Sequence, residues 1–261
     1  MGLDSRKLLR RLQARRRALL RHYDDESLHQ LRVALRRLRS LLRPAKSREA
    51  QSLRRELGGL ADATSAARDW DTLLIHARKS LSEREFHRVQ PLLQARRRAS
   101  HESVIGMLHS SAWTDTLHRL EVWLEDERLA ASDPALLDDR ISRAKQTVKR
   151  AREKAEAADD RKRWHKVRIA IKELRYALES IPGSTPRGTL KHCKRLQDAL
   201  GEWHDSVVHL QLVRELAASL DSGQGSGLHE LLDNWSGQLE REARTTLDDA
   251  RSRYQALSCH L

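Results

Sequence analysis

The stretch "HQLRVALRRLR" at residues 29–39 recurs as "HKVRIAIKELR" at 165–175, an offset of 136 residues carried from His29 to His165. The same offset sets Arg32 on Arg168, Arg36 on Lys172 and Arg39 on Arg175, and the apolar Val33, Leu35, Leu38 and Leu42 on Ile169, Ile171, Leu174 and Leu178. Without a gap, "LADATSAARD" (60–69) then falls on "LQDALGEWHD" (196–205), matching Leu60, Asp62, Ala63 and Asp69 to Leu196, Asp198, Ala199 and Asp205. Arg55 meets Lys191, and Arg68 meets His204. Two segments sharing one offset are hard to produce by chance. The chain reads as an internal duplication, so whatever it folds into is built twice.

The repeated unit reads as helical. Leucine recurs at helical spacing, Phe, Tyr and Trp make up only 4% of the chain, and β-branched runs are almost absent, which leaves strands little support. With 39% hydrophobic residues in 261 there is apolar mass for a core. Pro44 in "RPAKS" is expected to end the first motif helix, and Gly58 and Gly59 to loosen the next. Pro91 and Gly106 are expected to kink or divide the stretch from about 83 to 111. Ser132 or Asp133 in "ASDP" is placed to cap a helix opening at Pro134. "PGSTPRG" (182–188) and "DSGQGSG" (221–227) read as loops. The expected result is an all-α chain of about eight to ten helices, a single domain over 1–261 made of two repeats, 1–131 and 135–261.

On a helix advancing about 100° per residue, Arg32, Arg36, Arg39 and Arg43 fall within roughly 80° of one another and of His29. Leu31, Leu35, Leu38, Leu41 and Leu42 cover a separate arc centred about 130° away. The basic stripe therefore borders the buried face, the position that lines a groove where two helices meet. Arg37 lies off the stripe, and its counterpart is Glu173, so charge is kept on the stripe and changes sign beside it. The competing reading of any one such helix is a solvated face with arginines laid over apolar surface, and a lone His is more often structural. Four cationic-capable positions kept in both copies favour a binding row. Asp69 and Asp205 have two readings: each precedes an apolar helical run and fits an N-cap, or each orients stripe arginines through paired hydrogen bonds.

A formal net charge of +13 and a pI near 10.3 fit a polyanionic partner: nucleic acid, an anionic membrane surface or a phosphate polymer. No apolar stretch approaches the roughly 18 residues that span a bilayer, and "MGLDSRKLLRRLQARRR" lacks the apolar segment of a signal peptide. Cys193 and Cys259 form no disulfide framework or zinc knuckle, so a cytoplasmic location without membrane association is expected. His204 and Asp205 resemble the "HD" of metal-dependent phosphohydrolases, but that chemistry needs further converging ligands, and the offset copy of His204 is Arg68. Neither HExxH, a P-loop nor GxSxG is present. A non-catalytic protein without metal or other cofactor is expected.

With "LHQLRVALRRLRSLLR" and "WHKVRIAIKELRYALE", each followed by an "LQDALGEWHD"-type segment, the sequence resembles the conserved histidine α-helical domain (CHAD) family over essentially its whole length. The resemblance implies two antiparallel, four-helix-type bundles related by pseudo-twofold symmetry around a shared basic groove or pore. It implies binding of inorganic polyphosphate, with localisation to polyphosphate granules. Carried over residue by residue, the binding set is His29, Arg32, Arg36 and Arg39 with His165, Arg168, Lys172 and Arg175; Arg55, Lys191, Arg68 and His204 are second-rank additions. "LADATSAARDWD" is a weaker copy of its partner, and Glu173 interrupts the second basic run. Polyphosphate also suits the residues on their own terms, because a chain of phosphates offers no bases to read and asks only for converging cationic donors. Nucleic acid, bound more weakly and without sequence preference, is the runner-up. Single-stranded nucleic-acid binders add aromatic stacking platforms, and the six tryptophans here are scattered.

Overall fold

Helix-forming composition is realised throughout the computed structural model, which describes residues 2–43, 45, 47–126, 134–157, 161–179, 187–220 and 226–258. Among these residues there are ten helices and no strand. They fall into two compact units, Met1–Ser132 and Asp133–Leu261. The first holds α1 (Gly2–Arg21), α2 (Asp25–Leu41), α3 (Arg48–Ala63), α4 (Ser65–Ser80), α5 (Glu83–His109) and α6 (Ser111–Asp126); the second holds α7 (Pro134–Glu156), α8 (Arg161–Glu179), α9 (Arg187–Ala218) and α10 (Ser226–Ser258).

Each motif helix forms for local reasons. In α2 the Asp24 carboxylate accepts from Ser27 N at 2.7 Å, and Asp25 and Glu26 in the first turn complement the helix dipole. Leu28, Leu31, Ala34, Leu35 and Leu38 recur at three- and four-residue spacing and are buried. α3 is capped by Ser47, whose Oγ accepts from Ala50 N at 3.2 Å. α5 opens with a reciprocal capping box between Ser82 and Glu85. Across the first unit, Arg119 of α6 spans two acids of α3, donating from Nη1 to both Glu56 oxygens at 2.8 and 2.9 Å and from Nη2 to Glu49 at 2.7 Å.

By the sequence offset, α7 and α8 correspond to α1 and α2, α9 covers the positions of α3 and α4, and α10 covers much of α5 and α6. This is consistent with duplication. The two cores use matching positions: Leu31, Leu35, Leu38 and Leu57 in the first, Val167, Ile171, Leu174 and Cys193 in the second. The differing helix counts have a chemical cause. At Thr64 (φ −94°, ψ 1°) the helix stops, and the hydroxyl donates to Ala61 O at 2.7 Å. The offset position is Leu200, which has no hydroxyl, and α9 runs straight through it. At Ser110 the hydroxyl accepts from Trp113 N at 3.2 Å and caps a new helix, whereas Thr246 at the offset position donates back to Glu242 O within α10.

Several expected breaks are not there. α3 continues through Gly58 and Gly59, because tertiary packing on a buried face outweighs the roughly 1 kcal/mol that glycine costs a helix. α5 is undivided through Pro91 and Gly106, and the division comes at Ser110 instead. The ends of the two expected loops, Arg187–Gly188 and Ser226–Gly227, belong to α9 and α10. Pro44, Ser132 and Asp133 lie outside the described residues. Neither Asp69 nor Asp205 is an N-cap, since each sits inside a helix, four residues past the start of α4 and deep within α9. α4 is preceded by Thr64, with no side-chain cap.

Candidate functional site

In the first unit the α2 stripe faces the joint between α3 and α4. Arg32 donates from Nη1 to Ala61 O at 2.9 Å, to Thr64 Oγ1 at 2.6 Å and to Ser65 Oγ at 3.2 Å, so its guanidinium is fastened into the joint. Burial, with the charges of Arg36 and Arg68 close by, pulls Arg32 down to about 10, against the opposing influence of Asp69; it remains a cation at neutral pH. Arg36 is half-buried, and its Nε has no hydrogen-bond partner. His29 is held below its ordinary value by burial and by Arg68, Arg36 and Arg32, with Glu26 pulling the other way. Arg39 is exposed, and its guanidinium lies across buried Gly58, where an added Cβ would stand 3.2 Å from Cζ. Glycine at 58 thus lets a stripe arginine lie flat on α3.

The second unit gathers the offset residues on α8 and α9. His165 and His204 bring their rings to 4.9 Å between centroids. Burial, then Arg168 and Lys172, lowers His165. Burial, then Arg168, His165, Lys172 and His209, takes His204 down to about 3, so it is neutral at physiological pH. Arg175 is engaged differently from Arg39: its Nε donates to Gln197 Oε1 at 2.7 Å, its Nη1 pairs with Glu179 at 2.5 Å, and its guanidinium lies over the Tyr176 ring at 4.8 Å.

Of the residues read from the sequence, His29, Arg32, Arg36 and Arg68 come together in one unit, and His165, Arg168, Lys172 and His204 in the other. Arg55 and Lys191 are exposed, and among the described residues no hydrogen bond ties either to its cluster. Asp69 interacts with Arg32, in keeping with the orienting reading rather than the capping one. Sequence reasoning missed Glu179, although carrying the offset one turn beyond Arg175 finds it at the position of Arg43. It also missed a polar cluster in the first unit. There the buried Asp71 carboxylate accepts from Arg97 Nε at 2.6 Å, His101 Nε2 at 3.0 Å and the Tyr23 hydroxyl at 3.0 Å, and Tyr23 stacks on His101.

Aromatic side chains are committed elsewhere. Trp113, Trp164, Trp203 and Trp235 are fully buried, and the large hydrophobics exposed among the described residues are Ile75, Val122 and Ile169. No helix of the described residues is long and apolar enough to cross a membrane. Among those residues no group of three or more His, Cys, Asp or Glu comes together as a metal-binding set.

The sequence profile of the CHAD domain family matches residues 5–214. The crystal structure of the CHAD domain from the plant Ricinus communis superposes with a TM-score of 0.81 at 26% identity, over 97% of this chain and 89% of that one. PptA from Streptomyces chartreusis matches with a TM-score of 0.70 at 17% identity, over 96% of this chain and 99% of that one, a likeness of fold alone. Among curated proteins, the uncharacterized protein Rv2226 of Mycobacterium tuberculosis is 27% identical over 246 residues, covering 86% of this chain. The chain spans about half the length of the curated relatives it matches, 47% in each case.

Proposed function

The chain belongs to the CHAD family, and we propose that it binds inorganic polyphosphate through its two cationic clusters without turning the polymer over. The single domain of two repeats then presents one cluster per repeat, at polyphosphate granules in a cytoplasm. One observation carries the reading: each unit sets the arginine and lysine side chains of its motif helix beside half-buried imidazoles, whose protonation burial and those neighbouring cations disfavour. Assembling like charges with partial loss of water is unfavourable, and a closely spaced row of phosphates relieves it. Guanidinium, ammonium and imidazole donors supply the charge-assisted hydrogen bonds such a polymer accepts. The absence of exposed aromatic platforms among the described residues favours a ligand without bases over single-stranded nucleic acid.

The test is a titration against long-chain polyphosphate and duplex DNA at equal phosphate concentration, with phosphate release followed with and without divalent metal. Polyphosphate is expected to bind at least about tenfold more tightly, since net charge alone would attract both polymers, and no phosphate should be released. Equal affinities would assign binding to the general positive field, and metal-dependent release would make the protein a hydrolase.

Binding should also tighten as pH falls. In the ligand-free protein, burial and neighbouring cations hold His29 and His165 below their ordinary value. A phosphate chain reverses that electrostatic bias and raises both, so the complex takes up protons. By linkage, affinity increases as pH falls through the window between the bound and free values and is lost again as pH rises above the bound ones. Isothermal titration near pH 6 should therefore give a stronger complex than near pH 8. Changing His29 and His165 to Gln, which keeps a donor but does not titrate, should flatten the difference. A pH dependence that survives the double change would make both histidines structural.

A further inference from the structure

The two copies differ in charge along the stripe and at the residue facing it. Where the first copy continues its stripe with Arg43, the second has Glu179, one turn beyond Arg175 and ion-paired with it. Where the first has the guanidinium of Arg68, the second has the imidazole of His204, tucked against His165. Where the first has Arg36, the second has Lys172, a point charge instead of a planar fork that grips two phosphate oxygens at once. A cation does return at Lys194, the position of Gly58, but it stands exposed, where water and salt screen it. Arg39, for its part, lies over Gly58, whereas Arg175 is held by Glu179 and Gln197.

We infer that the two copies are unequal subsites for a phosphate chain, the cluster on α2, α3 and α4 being the primary anchor and the cluster on α8 and α9 the weaker one. The inference rests on the polyphosphate reading and adds a rank order to it. Its physical content is that the second copy lacks a guanidinium at 172, 179 and 204, keeping a lysine charge at 172, and has another paired with a carboxylate at 175. Glu179 is thereby one of the residues that set the difference. It offers a phosphate chain a like charge and holds the guanidinium that the chain would otherwise engage.

The experiment titrates long-chain inorganic polyphosphate into the full chain and four variants: Arg36→Ala, Lys172→Ala, Glu179→Arg and Glu179→Gln. Arg36→Ala should weaken binding about tenfold more than Lys172→Ala, although the two occupy the same offset position. Glu179→Arg, which restores the first copy's residue and removes the ion pair on Arg175, should tighten binding by about threefold to tenfold. Glu179→Gln keeps the shape without the charge and should give a smaller gain in the same direction, which guards against a misfolded Arg variant. Equal losses at 36 and 172, or no gain from either change at 179 with helix content intact, overturn the ranking. A wild-type chain that binds no polyphosphate overturns the functional reading itself, a result distinct from either of these.

Discussion

Changing Arg36, Arg68 and Lys172 together to Gln should weaken polyphosphate binding by about 3–6 kcal/mol, roughly two to four powers of ten, with helix content unchanged. All three are half-buried at the rim of a core without belonging to it. The Nε of Arg36 has no hydrogen-bond partner to forfeit, and glutamine, though shorter, keeps a polar donor while removing charge. Arg32 is deliberately spared. Its three hydrogen bonds at the joint between α3 and α4 give it a structural duty, and its removal would confound affinity with stability. The control removes three charges from exposed positions, Arg88, Lys149 and Arg150, and should cost less than about tenfold, the size expected of screened surface charge. Titration calorimetry with circular dichroism on both proteins decides the matter. Equal losses would mean that net charge drives binding and that the clusters are not the site.

The second large effect concerns stability. Asp71→Ala should destabilise the first unit by about 3–5 kcal/mol, the usual cost of stranding a buried charge partner, and lower its melting temperature by about 10 °C or more. The Asp71 side chain is 0% exposed, and its loss leaves Arg97, His101 and the Tyr23 hydroxyl without their shared acceptor. Burial alone would raise the Asp71 carboxyl, but the hydrogen bonds from His101 and Arg97 outweigh it and hold the group below its ordinary value. Its contribution is accordingly present at neutral pH and lost as pH falls through the carboxylate range. Asp71→Asn, which keeps acceptor geometry without charge, should fall between the two proteins in a thermal melt. An alanine variant that melts with the wild type would reduce the cluster to packing.

How far the sequence reads ahead of the structure depends on whether a residue's role is local. The helices and both stripes were legible because leucine spacing and the offset from His29 to His165 are properties of the chain itself. The joint at Thr64 left only a faint sign, the poor match of "LADATSAARDWD" to its partner, because a helix stop there depends on one hydroxyl back-bonding to Ala61. Gly58 misled in the opposite sense. Its propensity argues for a loosened helix, and the value of a missing Cβ beneath Arg39 emerges only when α2 and α3 are packed together. The cluster around Asp71 was out of reach, since it joins Tyr23, between α1 and α2, to α4 and α5 across dozens of residues. Glu179 is legible at the offset position of Arg43, but the ion pair it makes with Arg175 appears only in the structure.

The joint at Thr64 has a consequence for how the two units yield. α9 carries an unbroken ladder of backbone hydrogen bonds over 32 residues, so a local opening there must fray inward from an end. α3 and α4, at 16 residues each, meet at a seam where opening can begin in the middle, and Arg32 is bonded across that seam. Its guanidinium belongs at once to the cluster that meets an anion and to the hinge that restrains two helices. Whatever draws on that guanidinium alters the free energy of opening at the seam, and by reciprocity whatever loosens the seam alters the grip on the anion. The first unit is thus built so that occupancy and local unfolding share one side chain, while at the offset position in the second unit the helix passes through without a seam to share.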